Sequence, residues 1–344
     1  MLRAAIIGLG NQSLNDHIPS LLRRSDVRII AVIDPSNEAH EQFEVMYPDL
    51  AKSVLHGESL DILDGTAIDF AIVAIPHNHY YDTLKFLCSR NIPFMKEKPF
   101  ARTLTEAMHI GNIPNISKFC FTCTQRKYSP LYRIVRDMLP AIGEPITCDV
   151  FYNLRVSEPA AGWRSETSLS GGGVIIDMGY HIIDQLTGWF DYPEQVQATI
   201  TSEPGQSDSY DTEDSAIITM HFKNPEVECT LNLSRSEQAK EETFTINGER
   251  GEIIVSLDGL TIQLKGQEPL SYVAPPKSML LDNQLEFFIH RVREDIGFED
   301  NHTTNVLDMK IIENCYRKAI SKDHAIYVSL LKHGNRHKEP DHEA

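Results

Sequence analysis

Short apolar runs alternate with amphipathic stretches along the first 125 residues of the chain. The runs predict five strands, at residues 3–8, 27–34, 70–75, 93–96 and 119–124. Between them, apolar residues recur at helical spacing over residues 18–24, 38–47, 81–88 and 105–110. This alternation predicts a parallel sheet that carries helices on both of its faces.

The pattern changes after residue 128. A helix is predicted over residues 129–138, and strands with alternating apolar and polar residues are predicted at 146–152, 196–201, 215–222, 228–233, 243–246, 252–255 and 260–264. Turn residues such as Asn247 and Gly248 separate these strands, which favours an antiparallel sheet. Two late helices are predicted over residues 283–295 and 303–321. We therefore expect an α/β protein with a first domain at 1–125, an α+β domain at 126–330 and a polar tail at 331–344.

The composition is typical of a folded globular protein. Of the 344 residues, 41% are hydrophobic, and the formal net charge is −17. This acidic excess argues against nucleic acid or an anionic membrane as a partner. No apolar run is long enough to span a bilayer, and the first residues lead into a predicted strand rather than a signal sequence. A cytoplasmic location is expected.

No metal site or disulfide is expected. Six cysteines are too few for a disulfide scaffold in a chain of this length. Cys120 and Cys123 form a C-x-x-C pattern, but they fall in a predicted strand, where residues three apart point to opposite faces. His333 and His337 stand four apart in the polar tail, where a metal site is unfavourable.

A glycine-containing loop follows the first predicted strand and precedes a helix. Its residues are Gly8, Gly10, Asn11, Gln12 and Ser13. In this context two glycines allow a tight turn and a close approach of the backbone to a pyrophosphate at the helix N-terminus. Ser13 replaces the third glycine of the pattern, which serves the packing of the helix on the strand, and a small serine should be tolerated there.

Asp34 ends the second predicted strand, where an acidic residue can bind the ribose hydroxyls of a dinucleotide. The following residues, Pro35, Ser36 and Asn37, offer no arginine for a 2′-phosphate, and a carboxylate would repel one. We therefore expect NAD as the cofactor rather than NADP. A turn aspartate before a proline is the structural alternative.

Lys98 follows the predicted strand at 93–96, at the edge of the sheet where open α/β proteins bind their ligands. Pro99 favours an extended conformation of Lys98 and restricts the loop. A lysine held there can orient a substrate hydroxyl and stabilise negative charge on its oxygen. A surface lysine before a proline is the alternative interpretation.

A glycine-rich segment, Gly171 to Gly173, precedes a second group of polar residues. On a helix, Asp177 and His181 share one face, and Asp184 lies close to the same stripe. A histidine one turn from a carboxylate is suited to taking a proton at neutral pH. A helix-surface pair with modest ionic coupling is the alternative.

Taken in order, these motifs resemble the Gfo/Idh/MocA family, named for glucose-fructose oxidoreductase, inositol dehydrogenase and a rhizopine-catabolism protein. The resemblance runs from the glycine loop through Glu97-Lys98-Pro99 and Gly162-Trp163-Arg164 to the Asp-x-Gly-x-His segment that ends at His181. It implies an N-terminal Rossmann domain and a C-terminal domain with a large open antiparallel sheet. It also implies homodimers or homotetramers that pack through that sheet.

The resemblance places catalytic roles on Lys98, Asp177 and His181. It adds cofactor contacts at Pro76, Asn78 and Glu97, and substrate contacts at Arg126, Trp163, Arg164 and Tyr180. The family carries a histidine four residues after Pro76, whereas this chain has Tyr80 there and His79 one position earlier.

The motifs together predict an NAD-dependent oxidoreductase that transfers a hydride between the nicotinamide and a ring hydroxyl or ketone. A sugar, nucleotide sugar or cyclitol is the expected substrate class. The alternative is a non-catalytic protein of the same fold that senses a dinucleotide or sugar, and an enzyme that retains and recycles its cofactor is also open.

Overall fold

The computed structural model describes residues 1–158, 161–201 and 210–321, without the side chains of residues 320 and 321. The predicted tail at 331–344, with His333 and His337, lies outside the described residues. So does the end of the predicted second domain, at 322–330.

Two units make up the chain. The first contains Met1–Ala101, Thr105–Ser129 and Pro276–Val306, and the second contains Arg102–Leu104, Pro130–Pro275 and Leu307–Ala344. The first unit differs from the predicted domain at 1–125 because a late part of the chain returns to it.

The strands of the first unit are β1 (Leu2–Ile7), β2 (Val27–Ile33), β3 (Leu55–Gly57), β4 (Phe70–Val73), β5 (Phe94–Lys96) and β6 (Cys120–Thr122). Its early helices are α1 (Ile18–Leu22), α2 (Asn37–Met46), α3 (Pro48–Ala51), α4 (Tyr80–Ser89), α5 (Leu104–Gly111) and α6 (Ile116–Phe119). All strand pairs of this sheet are parallel, in the order β3-β2-β1-β4-β5-β6. The predicted parallel sheet is confirmed.

The second unit contains α7 (Pro130–Ile142), α8 (Thr167–Ser170), α9 (Tyr180–Phe190) and a nine-stranded sheet. The strands are β7 (Ile146–Arg155), β8 (Gln195–Thr201), β9 (Ser215–Lys223), β10 (Glu226–Ser234), β11 (Ser236–Gly248), β12 (Gly251–Val255), β13 (Gly259–Leu264), β14 (Leu270–Val273) and β15 (Ile320–Ser321). Two long helices, α10 (Lys277–Arg293) and α11 (Glu299–Arg317), follow β14.

The large sheet is mostly antiparallel, with the order β14-β13-β12-β11-β7-β10-β9-β8-β15. Two of its pairs, β7 with β10 and β8 with β15, are parallel. Buried and exposed residues alternate along β7 and β9, so one face packs in the core while the other stays open. The sequence pattern predicted this sheet, although not its parallel pairs.

An aromatic cluster explains why α10 belongs to the first unit. Phe288 of α10 stacks on Phe298 with ring centroids 5.3 Å apart, and Phe288 also contacts the rings of Phe70 and Phe121. All four side chains are buried. Removing such a ring from a core typically costs about 3–5 kcal/mol, so α10 is part of the first unit's core rather than a peripheral addition.

Among the described residues, no helix combines the length and the apolar character that a membrane crossing requires.

Candidate active site

Gly8 and Gly10 play different parts in the loop after β1. Gly8 has a positive φ of 91°, and a side chain there would collide with the carbonyl group of Ala74 at the end of β4. The conformation and the contact both require glycine. Gly10 is exposed, and a Cβ built on it meets no atom within 4 Å. The space beside Gly10 is therefore open to a ligand, as a phosphate-binding loop requires.

Ser13 replaces the third glycine of the loop without disturbing it. Its Oγ donates a hydrogen bond of 2.6 Å to the carbonyl oxygen of Gly8, and the side chain is buried. Ser13 also begins a π-helical turn, Ser13–His17, in which the Ile18 amide donates to the Ser13 carbonyl five residues back. Pro19 lacks an amide hydrogen and crowds the preceding turn, which favours this widening.

Asp34 follows β2 and lies beside the glycine loop. One carboxylate oxygen accepts a 2.7 Å hydrogen bond from the Leu9 amide, and the other accepts one of 2.9 Å from the Ser36 amide. These bonds orient the carboxylate, which is half-buried, next to the loop. Together with the open space beside Gly10, this arrangement fits a dinucleotide whose ribose and pyrophosphate contact these residues.

The segment after Pro76 forms a short 3₁₀ turn, His77–His79. Asn78 is half-buried, and its side-chain nitrogen lies 3.2 Å from Nε2 of the exposed His79. Tyr80, which stands where the family carries histidine, is fully buried, and its hydroxyl donates a 2.9 Å hydrogen bond to the carbonyl oxygen of Glu97. Tyr80 therefore supports the Glu97–Lys98 segment.

Glu97 pairs with His17. Nε2 of the buried His17 lies 2.8 Å from Oε1 of Glu97. Burial alone would raise the pKa of Glu97, but the His17 hydrogen bond and the charges of Lys98 and Lys96 hold that pKa below its ordinary value. A Glu97 carboxylate engaged in this way fixes the start of the Lys98 loop.

Lys98 is half-buried on the loop that follows β5, and its peptide bond to Pro99 is cis. Lys98 thus lies at the carboxyl edge of the parallel sheet, as predicted, with part of its side chain accessible. The neighbouring Lys96, on β5 itself, is fully buried and was not singled out from the sequence.

Cys123 follows β6 and is buried, as are all six cysteines, which are free thiols. Burial raises the pKa of Cys123 well above its ordinary value, so the thiol is protonated and unreactive at neutral pH. Cys123, His17 and Glu97 are the one group of three potential metal ligands found in the described part of the chain. Since His17 and Glu97 are hydrogen-bonded to each other and Cys123 is a thiol, we assign no metal to this group.

Asp177 and His181 lie on the second unit, where a π-helical turn, Ile175–Gly179, leads into α9. Both residues are half-buried, whereas most of their neighbours are fully buried. The predicted regular helix is therefore interrupted: the first turn is wider, and π turns of this kind often occur at functional sites. Asp184 and Tyr180 are both buried, Tyr180 completely. Tyr180 would need to move to contact a substrate.

Each of the three glycines before this turn lies too close to a neighbouring group to carry a side chain, and at Gly172 that group is the Tyr316 hydroxyl. A side chain at Gly171 would collide with the backbone of Arg102, and one at Gly173 with the backbone of Glu213. The buried Glu213 carboxylate accepts hydrogen bonds from the amides of Gly173 (2.7 Å) and Ile175 (2.9 Å). Tyr316 donates a further hydrogen bond of 2.9 Å to Glu213. This carboxylate fixes the start of the helix that carries Asp177 and His181.

A buried ion pair near Glu213 was also missed from the sequence. Nε of Arg235 lies 2.7 Å from Oδ1 of Asp214, and the Tyr210 hydroxyl donates to the same carboxylate. Arg235 also donates to the carbonyl and hydroxyl oxygens of Thr212. The polar residues at 210–214 are typical of an exposed loop. The sequence does not indicate their burial, because that burial depends on tertiary packing.

The predicted substrate contacts fall on both units. Arg126 lies in the first unit, half-buried on the 3₁₀ turn Gln125–Tyr128. Trp163 and Arg164 lie in the second unit on the turn Gly162–Ser165, where the Arg164 guanidinium lies 4.4 Å from the centroid of the Trp163 ring. Arg164 is exposed and its charge is available to an anionic ligand.

A parallel sheet with a glycine loop after its first strand and an aspartate after its second defines a dinucleotide-binding fold. Comparison with known families agrees. Residues 2–115 match the oxidoreductase family with an NAD-binding Rossmann fold, and residues 132–254 match the GFO/IDH/MocA C-terminal domain. The chain therefore belongs to the Gfo/Idh/MocA family of NAD(P)-binding oxidoreductases, and the family predicted from its motifs is confirmed.

Individual relatives are distant. The rhizopine catabolism protein MocA of Rhizobium meliloti is 26% identical over 187 residues, which cover 54% of this chain and 56% of MocA. The chain thus spans about half the length of the curated relatives it matches.

Two solved structures share the fold along nearly the whole chain. KijD10, a 3-ketoreductase from Actinomadura kijaniata in complex with NADP and TDP-benzene, has a TM-score of 0.80 at 13% identity, covering 93% of this chain and 98% of KijD10. An oxidoreductase from Agrobacterium radiobacter in complex with NAD⁺, L-tartaric acid and magnesium has a TM-score of 0.78 at 15% identity, covering 92% of this chain and 96% of that one. One neighbour holds NADP and the other NAD⁺.

Proposed function

We propose that this protein is an NAD-dependent dehydrogenase or reductase that acts on a ring hydroxyl or ketone of a sugar, nucleotide sugar or cyclitol. The observation that carries the proposal is the loop at the end of β1, where the open side of Gly10 adjoins the oriented Asp34 carboxylate. A non-catalytic sensor of the same fold would also have this loop. The half-buried Lys98 favours an enzyme instead, because a lysine at this edge of the sheet can stabilise charge on a reacting oxygen.

The bound nicotinamide would supply hydride acceptance and donation. Gly8, Gly10, Asn11, Gln12 and Ser13 would hold the pyrophosphate, and Asp34 would accept hydrogen bonds from the adenosine ribose. Pro76, Asn78 and Glu97 complete the proposed cofactor contacts.

The proposed chemistry of the substrate uses three side chains. His181 would take the proton of the hydroxyl as the carbon is oxidised, and Lys98 would stabilise negative charge on the oxygen. Asp177 would orient the substrate and favour the charged form of its basic partners. Arg126, Trp163 and Arg164 are the proposed determinants of substrate class.

We favour NAD over NADP because of Asp34. Both oxygens of the Asp34 carboxylate accept backbone hydrogen bonds, and these bonds hold the negative charge beside the loop. A 2′-phosphate at the ribose would bring like charges together, which is unfavourable. The adjacent residues Pro35, Ser36 and Asn37 provide no cationic side chain.

We also propose a homodimer or homotetramer that packs through the open face of the large sheet. Phe151 on β7 and Ile217 on β9 are 43% and 52% exposed, and Asn232 pairs with both in register. Two large apolar side chains in one row of an open sheet face are typical of an interface.

Nicotinamide absorbance tests the function. The purified protein is mixed with NAD and with separate pools of cyclitols, free sugars, sugar phosphates and nucleotide sugars. We expect the reduced-nicotinamide band to grow with one pool. The Lys98→Met variant should lose this turnover and retain NAD affinity, while the exposed Lys85→Met control should behave as wild type. Tight NAD binding without turnover in any pool, in either direction, would support the sensor instead.

A further inference from the structure

Lys96 has surroundings unlike those of Lys98. It lies at the end of β5, has no exposed surface and is among the largest fully buried side chains of the described residues. A buried ammonium group is strongly unfavourable unless hydrogen bonds compensate for its lost hydration. The hydrogen bonds that compensate the buried Lys96 ammonium group therefore indicate which part of the fold this charge stabilises.

Three backbone carbonyl groups surround the ammonium nitrogen. Nζ of Lys96 donates to the carbonyl oxygens of Glu97 at 2.7 Å, Pro99 at 2.6 Å and Phe100 at 3.3 Å. An ammonium group has three N–H donors, so this set of acceptors satisfies it. The three carbonyl groups belong to the loop that carries Lys98, and the loop bends around the charge.

Tyr80 supports the same arrangement from α4. Nζ of Lys96 lies 3.9 Å from the centroid of the Tyr80 ring, a favourable cation–π distance. The Tyr80 hydroxyl donates to the carbonyl oxygen of Glu97, which Lys96 also contacts. Tyr80 therefore holds both the ammonium group and the start of the loop.

We propose that Lys96 is a positioning residue for Lys98: its ammonium group, seated on the Tyr80 ring, fixes the path of the Glu97–Phe100 loop and so the direction of the Lys98 side chain. This inference rests on the proposed function, since it assigns Lys96 a role in the same reaction. Lys96 itself contacts neither cofactor nor substrate in this scheme.

A charge is needed for this role because the carbonyl dipoles converge. The carbonyl oxygens of Glu97, Pro99 and Phe100 all accept hydrogen bonds from one nitrogen. Without the ammonium group, these oxygens would repel one another and would lose the hydrogen bonds that Lys96 donates. A methionine would fill the volume of Lys96 but provide no donor. The loop would then move, and Lys98 with it.

The charge of Lys96 also makes the loop sensitive to alkaline pH. Burial lowers the pKa of Lys96 to about 8, against the opposing influence of the nearby Glu97 and Glu106 carboxylates. The titratable groups that face it are Cys120 and Cys123 at β6, Glu97 on the loop, Glu106 on α5 and Tyr80 on α4. A neutral amine has one donor fewer, so the loop should loosen as the pH rises past about 8.

The test compares wild type with Lys96→Met and Tyr80→Phe, using NAD and the substrate pool that supports turnover. We expect Lys96→Met to lower kcat about 100-fold, as small misplacements of reacting groups do, with KM and the Kd for NAD within about threefold of wild type. Tyr80→Phe keeps the ring and loses one hydrogen bond, so kcat should fall about fivefold. The ratio of wild-type kcat to Lys96→Met kcat should shrink between pH 7 and pH 9.

Hydrogen exchange of the backbone amides provides a readout that needs no activity. In Lys96→Met the amides of Lys98, Phe100 and Ala101 should exchange about tenfold faster, while those of β1 and β4 remain protected. Lys85→Met is the matched control, because Lys85 lies 5.9 Å from the Tyr81 ring on the exposed side of α4. It should change neither kcat nor exchange.

Wild-type kcat and wild-type loop exchange in Lys96→Met would overturn the proposal, as would a loss of protection spread over the whole unit. If Lys96→Met does not fold, the wild-type protein decides: loop protection factors that stay constant from pH 7 to pH 9, as Lys96 loses its charge, would reject the positioning role. Failure of the proposed function looks different: no variant, wild type included, would transfer a hydride, and the exchange comparison would still test the loop.

Discussion

Nε2 of His17 lies 2.8 Å from Oε1 of Glu97, across 80 residues of sequence. His17 ends the π-helical turn that follows the glycine loop, and Glu97 begins the loop of Lys98. A partly buried pair thus joins the segment that would hold the cofactor to the segment that would carry the catalytic lysine. The geometry of one depends on the geometry of the other.

This pair makes the free energy of unfolding depend on pH in the acidic range. Because the pKa of Glu97 is lowered in the folded state, its contribution is present above the ordinary carboxyl pKa and is lost as the pH falls through the folded value. We expect Glu97→Gln to cost about 1.5–3 kcal/mol at pH 7 and less at pH 4, measured by urea unfolding. Glu58→Gln, at an exposed position, is the control. A cost that is equal at both pH values would contradict the assignment.

The two loop glycines should respond differently to alanine. Gly8→Ala introduces a clash with Ala74 at a positive φ, so the melting temperature should fall by several degrees or the protein should not fold. The methyl group added in Gly10→Ala meets no atom of the protein, so the melting temperature of this variant should stay near that of wild type. Its Kd for NAD should nevertheless rise at least about tenfold, because the methyl group enters the phosphate space. Unchanged NAD affinity in Gly10→Ala would argue against a phosphate at this loop.

Asp34 should set the choice of dinucleotide. Asp34→Asn keeps one acceptor oxygen and removes the negative charge, so the Kd for NAD should rise about tenfold while NADP becomes a better ligand than it is for wild type. Fluorescence titration with both nucleotides measures this. The fully exposed Asp49→Asn serves as control. Wild-type protein that binds NADP more tightly than NAD would refute the preference.

The open sheet face should determine the oligomeric state. Replacing Phe151 with Asp places a charge in the row that Phe151 shares with Asn232 and Ile217, so the homo-oligomer should dissociate at micromolar concentration. Sedimentation velocity measures the change. Val45→Asp alters a more exposed apolar residue, on α2, and should leave the assembly intact. A monomeric wild-type protein, or a Phe151→Asp variant that assembles normally, would exclude this face as the interface.

Most of the fold could be predicted from local pattern. The apolar runs identified five of the six strands of the parallel sheet, and alternation identified seven of the nine strands of the large sheet. β3 and β14 were missed because both are short and largely exposed, so they lack an apolar signature. β15 was also missed, because it lies within the helix predicted over residues 303–321, which ends at Arg317. The return of α10 to the first unit depends on contacts between Phe288 and residues over 150 positions earlier, which no local pattern carries.

The site could be predicted where its residues form a motif, and not where they act through packing. Lys98 and Asp34 could be proposed from the sequence because they stand at the ends of predicted strands. Lys96 carried one available signal, a charge at the end of an apolar strand, but its ring of carbonyl acceptors appears only in three dimensions. Glu213 likewise lies 40 residues from the Gly173 amide that it binds.

The return of α10 also bears on how the protein is made. During synthesis, the first 129 residues leave the ribosome long before Phe288 and Phe298 exist. A nascent chain at that stage carries Phe70 and Phe121 without the rings that cover them in the finished fold. Completion of the nucleotide-binding unit therefore requires synthesis of the segment Pro276–Val306, and until then part of its apolar core has no cover.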